Sequence, residues 1–165
     1  MTDVNISTMT IEHWPQVLKI YAEGIKTGAA TFEIDLPNYK DWNQNHLEHC
    51  RLVIESHGTI FGWAALSPVS SRWVYRGVAE VSVYMSEKSR GMGYGTLLMN
   101  QLIYCSEKKG LWTLRSGIFP TNIASIKLHE KVGFRLLGIR EKIGQLNGIW
   151  HDNLIYERRS KIVGK

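Results

Sequence analysis

The sequence feature that most clearly indicates chemistry is a group of three glycines within five positions. They belong to the run Arg90-Gly91-Met92-Gly93-Tyr94-Gly95, which follows an alternating apolar stretch at 80–85 and precedes a helix-like stretch at 96–109. Glycine lacks the side chain that would keep a ligand away from the backbone. Free amides at a helix N-terminus then point toward an anion that docks there. The pattern is typical of a pyrophosphate-binding loop, and a plain tight turn is the alternative.

Two ionisable residues are candidates for proton transfer. Glu80 begins the alternating stretch, and Ser82 shares its face of the predicted strand. A carboxylate beside an apolar cleft can be tuned to accept a proton, so Glu80 is our candidate general base. Holding an ammonium group, or simply facing solvent, are its alternatives. His129 lies on a later predicted helix, and an imidazole titrates near neutral pH. It is a candidate general acid, a helper of Glu80, or a packed histidine.

A second motif follows downstream. The run Asn122-Ile123-Ala124-Ser125-Ile126-Lys127-Leu128-His129-Glu130-Lys131-Val132-Gly133-Phe134 indicates a helix that Asn122 caps and Gly133 ends. Together the two motifs resemble the GNAT superfamily of acyl-CoA-dependent N-acetyltransferases. That superfamily pairs an Arg/Gln-x-x-Gly-x-Gly/Ala loop with a later Asn-x-x-Ala/Ser helix ending in Gly-Phe.

The resemblance narrows to the phosphinothricin/methionine sulfoximine N-acetyltransferase branch and covers residues 4–158. It implies acetylation of the α-amine of a small amino-acid analogue such as phosphinothricin, methionine sulfoximine or methionine sulfone, by direct transfer in a ternary complex. Acetylation of a protein N-terminus or an aminoglycoside-like amine is an alternative, and a non-catalytic acyl-CoA-binding module is another. The branch is carried by Ser67-Pro68, Arg72, Tyr75, residues 80–84, Leu128-His129-Glu130, Trp150-His151-Asp152, and an early Thr31-Phe32-Glu33 followed by Pro37.

By this resemblance the cosubstrate is acetyl-CoA, and no metal is expected. The glycine loop would bind the pyrophosphate, and the strand before it would pair with the pantetheine arm. A backbone N–H near Val83 would polarise the thioester carbonyl. The expected cofactor-binding residues are Val83, Tyr84, Met85, Arg90, Gly91, Met92, Gly93, Tyr94, Gly95, Thr96, Asn122 and Lys131.

The acceptor pocket is predicted to be formed mainly by a polar loop and the strand that follows it. Arg72 is suited to a bidentate clasp on a carboxylate. The role of Trp150-His151-Asp152 stays open between shaping the pocket and anchoring the last strands. The expected substrate-binding residues are Phe32, Ser70, Ser71, Arg72, Tyr75, Glu80, Val81 and Ser82.

Length and composition limit the remaining choices. The 165 residues are 44% hydrophobic and 21% charged, which fits one globular domain over 1–165 with a core at 4–158 and a basic tail at 159–165. No apolar stretch approaches the ~20 residues of a membrane span, and the N-terminus lacks a signal architecture. We therefore expect a cytoplasmic protein without a membrane partner.

Charge and cysteines point to no further partner. The net charge is +5, but the basic residues are scattered outside the tail, so we expect no nucleic-acid partner. The partners expected are a small-molecule amine and, by the resemblance, a second copy in a homodimer. Cys50 and Cys105 lack metal-ligand spacing and are predicted to be buried free thiols.

The predicted elements must bring these residues together. A strand–helix start is followed by a meander and then by alternating strands and helices, which predicts an α+β fold. Its central mixed, mostly antiparallel sheet has about seven strands and is flanked by about four helices. Strands are predicted at 4–7, 51–56, 59–66, 77–85, 111–118, 134–143 and 149–158, with helices from Thr10 to near Gly24 and at 39–50, 93–109 and 122–132.

Overall fold

The structure is a computed structural model and describes residues 3–165. Seven strands and four helices alternate with three single-turn 3₁₀ helices at 11–13, 73–75 and 87–89. Among the described residues, no helix combines the length and the apolar character needed to cross a bilayer. The main elements are β1 (Asn5–Thr8), α1 (Trp14–Lys26), α2 (Tyr39–Asn45), β2 (Leu52–Ser56), β3 (Thr59–Pro68), β4 (Val78–Met85), α3 (Tyr94–Lys108), β5 (Thr113–Ile118), α4 (Ile123–Lys131), β6 (Arg135–Leu146) and β7 (Ile149–Arg159).

All seven strands form one sheet in the order β1-β2-β3-β4-β5-β7-β6. Every neighbouring pair is antiparallel except β4 and β5, which are parallel because α3 connects them. The predicted α+β fold, with a mixed sheet of seven strands and four helices, is therefore confirmed.

The pairing between β4 and β5 is short. Only three cross-strand pairs join them, and the last of these is Glu80 with Arg115. Beyond this pair β4 continues to Met85 along β3 alone. The two parallel strands therefore separate, and a wedge opens in the middle of the sheet.

Two apolar clusters hold helices against the two faces of the sheet. On one face, Val17 and Ile20 of α1 pack with Trp42 and Trp63. These α1 residues recur at helical spacing, so they form one apolar stripe. On the other face, α3 buries residues such as Leu98 and Leu102 against apolar side chains of β2–β5, β7 and α4.

The second helix is shorter than predicted. It ends at Asn45, whereas the sequence predicted a helix through Cys50. The buried Arg51 guanidinium donates to the carbonyl oxygens of Leu47 and His46 at 2.6 and 2.9 Å, and these bonds hold the chain in a turn. Cys50 adopts a left-handed φ of 57°, which an α-helix does not allow.

The last hairpin is tighter than predicted. We expected a connection over 144–148, but β6 continues to Leu146 and β7 begins at Ile149. Asn147 and Gly148 alone make the turn, with φ values of 50° and 79°. A two-residue Asn-Gly turn of this kind matches the twist of paired strands.

The prediction that both cysteines are free thiols was wrong. Cys50 and Cys105 are joined in a disulfide whose Cα atoms lie 5.7 Å apart. The two residues belong to different segments, 55 positions apart, and meet because α3 packs beside the turn that precedes β2. Sequence spacing carries no signal for a contact made by tertiary packing.

Candidate functional site

A cleft of about 1200 Å³ occupies the wedge between β4 and β5. One wall is β4 from Glu80 to Met85, and the opposite wall is the end of β5 from Ser116 to Ile118. The glycine loop, the first turns of α3 and α4, and residues of the loop at 27–33 also line it. The cleft is thus assembled from elements that are distant in sequence.

The glycine loop is built for close approach by an anion. Gly91 and Gly93 have φ values of 76° and 79°, a region that other residues enter at a cost. Gly93 is the N-cap of α3, and no side chain within residues 3–165 caps this helix. The amides of its first turn therefore remain available at the positive end of the helix.

One edge of β4 faces the cleft without a strand partner. From Val81 to Met85 its pairs are made with β3 only. An extended amide chain can add to such an edge as a further strand. An exposed strand edge that leads to free helix amides fits the pantetheine arm and pyrophosphate of acetyl-CoA.

Most of the predicted cofactor-binding residues line this cleft. Met92 is the exception, since it is exposed and does not line the cleft. Asn122 caps α4, and its Oδ1 accepts a hydrogen bond from the Ser125 amide at 3.2 Å. Lys131 and Arg90 are two positively charged residues of the lining, and the Arg90 guanidinium lies 3.9 Å from the Glu87 carboxylate. The cofactor contacts of these residues stay predictions.

Glu80 stands at the apex of the wedge beside an arginine. The Arg115 Nε donates to Glu80 Oε2 at 3.0 Å across the last β4–β5 pair. The Arg115 side chain is 36% exposed and the Glu80 side chain is 46% exposed. Arg115 therefore engages Oε2 of Glu80, and Oε1 has no such contact within the described chain; Glu80 also lines the cleft.

His129 is almost fully buried, with 1% of its surface exposed, and still borders the cleft. Its Nδ1 lies 2.7 Å from the Ser125 carbonyl oxygen, and only a protonated Nδ1 can donate to that oxygen. Burial lowers the pKa of the imidazole, and the bond to Ser125 opposes this in part. The neutral ring therefore carries a lone pair on Nε2, which has no hydrogen-bond partner among the described residues.

Two tyrosines form the wall toward α1. The rings of Tyr21 and Tyr84 meet edge to face at 4.8 Å, and Tyr84 also stacks on Trp63 at 4.9 Å. Burial, followed by the neighbouring Tyr21, raises the pKa of Tyr84 above its ordinary value. Tyr84 therefore keeps its proton and acts as a neutral wall.

An aromatic group contributes Phe32 and Phe119 to the lining of the cleft. Phe32 packs on Phe119 at 4.6 Å, and His151 meets Phe119 edge to face at 5.3 Å. The neighbouring Asp152 accepts a hydrogen bond from the Lys142 amide at 2.8 Å, and Trp150 is exposed. The Trp150-His151-Asp152 segment thus both supports the aromatic group and anchors β6 between Arg140 and Gly144, where its register with β7 shifts.

The predicted acceptor residues divide into two sets. Phe32, Glu80, Val81 and Ser82 line the cleft. The others, Ser70, Ser71, Arg72 and Tyr75, lie on the exposed loop between β3 and β4, outside the cleft lining. The Arg72 guanidinium sits over the Tyr75 ring at 5.3 Å. Their part in acceptor binding stays a prediction.

Several residues at the cleft were missed by the sequence analysis. Phe119 and Asn153 line it, and Arg115 contacts Glu80 at its apex. The sequence did offer a signal for Arg115: it is a lone arginine inside the apolar stretch 111–118, and a charged side chain on a partly buried strand needs a partner of opposite charge. Nothing in the sequence marked Phe119 or Asn153, since their positions depend on strand register.

Comparisons with known proteins agree with this geometry. Residues 14–134 match the family described as Acetyltransferase (GNAT) family. The chain is 29% identical over 144 residues to an L-methionine sulfoximine/L-methionine sulfone acetyltransferase of Pseudomonas aeruginosa, covering 84% of both chains.

Two solved structures have the same fold. A phosphinothricin acetyltransferase from Sinorhizobium meliloti, in complex with acetyl-CoA, superposes with a TM-score of 0.87 at 26% identity, over 99% of this chain and 91% of that one. A ribosomal-protein-alanine N-acetyltransferase from Brucella melitensis gives 0.87 at 29% identity, over 94% and 99%. These relatives confirm the resemblance drawn from the motifs. The chain belongs to the GNAT family of acetyltransferases.

Proposed function

We propose that this acetyltransferase transfers the acetyl group of acetyl-CoA to the α-amine of a small amino-acid analogue. The acceptor would be of the phosphinothricin, methionine sulfoximine or methionine sulfone type. The observation that carries the proposal is the wedge between β4 and β5, with the glycine loop at one end and Glu80 at its apex. The names of the relatives support the acceptor class.

The residues of the wedge have distinct roles in this proposal. Amides of the glycine loop bind the pyrophosphate, and the free edge of β4 orients the pantetheine arm. An N–H near Val83 polarises the thioester carbonyl, since a fixed donor stabilises the charge that develops on its oxygen. Glu80 accepts a proton from the acceptor's ammonium, directly or through a water molecule.

Direct transfer in a ternary complex is part of the proposal. An acyl-enzyme would need a nucleophile beside the thioester. The two cysteines are bonded to each other and lie in the core on the α3 side, away from the cleft lining. The amine itself then attacks the thioester.

His129 is assigned to accepting protons. Its Nδ1 proton is engaged by the Ser125 carbonyl oxygen, and its Nε2 carries the free lone pair. A ring in this state has no Nε2 proton to give to a leaving thiolate. The arrangement supports relay of the proton that leaves the amine over the general-acid alternative.

The test is release of coenzyme A from acetyl-CoA near pH 8 across a panel of amines. Phosphinothricin, methionine sulfoximine and methionine sulfone are compared with free amino acids, an aminoglycoside and a peptide that begins with alanine. We expect fast release with the first three. Release with the peptide alone would instead favour N-terminal acetylation, which the name of the Brucella melitensis neighbour also favours.

A homodimer and a cytoplasmic location complete the proposal, although a disulfide such as Cys50–Cys105 is rare in that compartment. Apolar side chains are exposed on the loop at 73–75 and on the β6–β7 hairpin, among them Trp73, Ile139 and Trp150. Adjacent exposed apolar side chains of this size are typical of interfaces between proteins. Sedimentation equilibrium should give twice the mass of one chain. A mass of one chain would remove the dimer from the proposal.

A further inference from the structure

A row of alternating charges crosses the sheet at the apex of the wedge. Strand register aligns Glu80 of β4 with Arg115 of β5, Arg115 with Glu157 of β7, and Glu157 with Arg135 of β6. Directly paired residues point to the same face of a sheet. Ion pairs of 3.0 Å and 3.1 Å join the first two and the last two members of the row.

Arg115 has donors to spare at this place. Its Nε is engaged by Glu80, and within residues 3–165 its two Nη atoms have no hydrogen-bond partner. The guanidinium is a planar fork that binds a carboxylate through two parallel bonds. About a third of the side chain is open to solvent. Arg115 does not itself line the cleft, but its partner Glu80 and its chain neighbour Ser116 do.

The pair of charges matches the two charges of a free amino acid. Glu80 and Arg115 stand on adjacent strands and their side chains are in contact, with Arg115 Nε 3.0 Å from Glu80 Oε2. The α-ammonium and α-carboxylate of an amino acid are attached to one carbon, with the nitrogen about 2.5 Å from the carboxyl carbon, so two neighbouring groups of opposite charge can meet both. An acceptor whose ammonium faces Glu80 therefore brings its carboxylate to Arg115.

We propose that Arg115 binds the α-carboxylate of the acceptor through its Nη atoms while Glu80 faces the α-ammonium. The inference rests on the proposed function, and it moves the carboxylate-binding role from the exposed loop to the apex of the wedge. Beyond it in the row, register aligns Glu157 of β7 with Arg115, while the Glu157 carboxylate pairs with Arg135.

The test compares two acceptors that differ only at the carboxylate. Coenzyme A release is measured with methionine sulfone and with its α-carboxamide, for the wild type and for Arg115→Gln. A hydrogen bond to a charged group contributes about 1.5–3 kcal/mol, so kcat/KM for methionine sulfone should fall about 10- to 150-fold, chiefly through KM. The same variant should lose less than threefold on the carboxamide.

Three variants complete the design. Arg115→Lys keeps the charge without the fork and should retain part of the preference for the acid. Arg135→Gln removes the exposed arginine at the far end of the row and should leave both acceptors unaffected. Arg72→Gln tests the loop arginine. Thermal unfolding of each variant confirms that it is folded.

Each contrary result has a separate meaning. An equal loss on both acceptors would overturn carboxylate binding and leave Arg115 as a residue that only orients Glu80. Unchanged kinetics, or the selective loss in Arg72→Gln instead, would overturn the assignment of Arg115 alone. A wild type that acetylates the peptide but no α-amino acid would overturn the proposed function together with this inference.

Discussion

Replacing Glu80 by glutamine separates its catalytic role from its structural one. The Glu80 side chain is 46% exposed and makes one ion pair, to Arg115. Pairs of this exposure contribute about 0–1 kcal/mol to stability. Glutamine keeps the size of the side chain and an oxygen that can accept from Arg115. We therefore expect the free energy of unfolding to change by about 1 kcal/mol or less.

The effect on turnover should be far larger. A positioned general base contributes about 10²- to 10⁴-fold to a rate, which corresponds to about 2.7–5.5 kcal/mol in activation free energy. Glutamine cannot accept the proton, so kcat with methionine sulfone should fall by this factor. The affinity for acetyl-CoA should stay unchanged, because its proposed contacts lie along β4 beyond Glu80 and at the glycine loop.

The assay combines three measurements on one preparation. Coenzyme A release gives kcat, isothermal calorimetry gives the Kd for acetyl-CoA, and urea unfolding gives stability. Glu157→Gln is the matched control, since it removes a carboxylate from the same row two strands away and should keep kcat. A kcat within threefold of the wild type for Glu80→Gln would refute the assignment of Glu80 as the base.

Three further predictions follow from local geometry. Gly93→Ala should weaken acetyl-CoA binding and cost about 1–2 kcal/mol of stability, because Gly93 lines the cleft with a φ of 79°. Gly110→Ala is the control, since Gly110 has a φ of 78° and equally open space but lies outside the cleft lining; it should cost the same stability and leave the Kd for acetyl-CoA unchanged. Equal Kd values for the two variants would contradict the glycine-loop site. Stability should fall as pH drops below about 6.5, because burial lowers the pKa values of His129, His46 and His49 in the folded chain and the unfolded chain then binds the protons first. His129→Gln should remove part of that slope in urea titrations between pH 8 and 5, and an identical slope would contradict a lowered pKa for His129. Cys105→Ala removes a crosslink between residues 55 positions apart and should lower the free energy of unfolding by about 4 kcal/mol. Dithiothreitol should lower the urea midpoint of the wild type but not that of the variant. A thiol assay that finds two free thiols without reductant would contradict the disulfide.

Local sequence signals were sufficient wherever a few adjacent residues decide the conformation. The glycine loop predicted the start of α3, because Gly91 and Gly93 supply backbone angles that other residues avoid. Asn122 predicted the start of α4, and its side chain forms the cap. Alternation of apolar residues over 80–85 likewise predicted β4.

Boundaries failed where a distant group decides the conformation. The polar stretch after Asn45 continues a helical pattern, but Arg51 donates to the carbonyl oxygens of His46 and Leu47 in that stretch, and to that of Asn43 near the end of α2, and holds the chain in a turn. A side chain that competes for backbone acceptors from beyond the helix leaves no periodic trace. The disulfide between Cys50 and Cys105 belongs to the same class, since packing of α3 brings the two together.

The candidate site shows the same division. The sequence by itself determined the family motifs, the glycine loop and the choice of Glu80 and His129 as candidate groups, because these are properties of residue type and short spacing. Only the tertiary structure decided that Arg115 stands beside Glu80, that His129 is buried with its Nδ1 engaged, and that Arg72 lies outside the cleft lining. These depend on the register between β4 and β5 and on how far the two strands separate, and register is set by packing over the whole sheet.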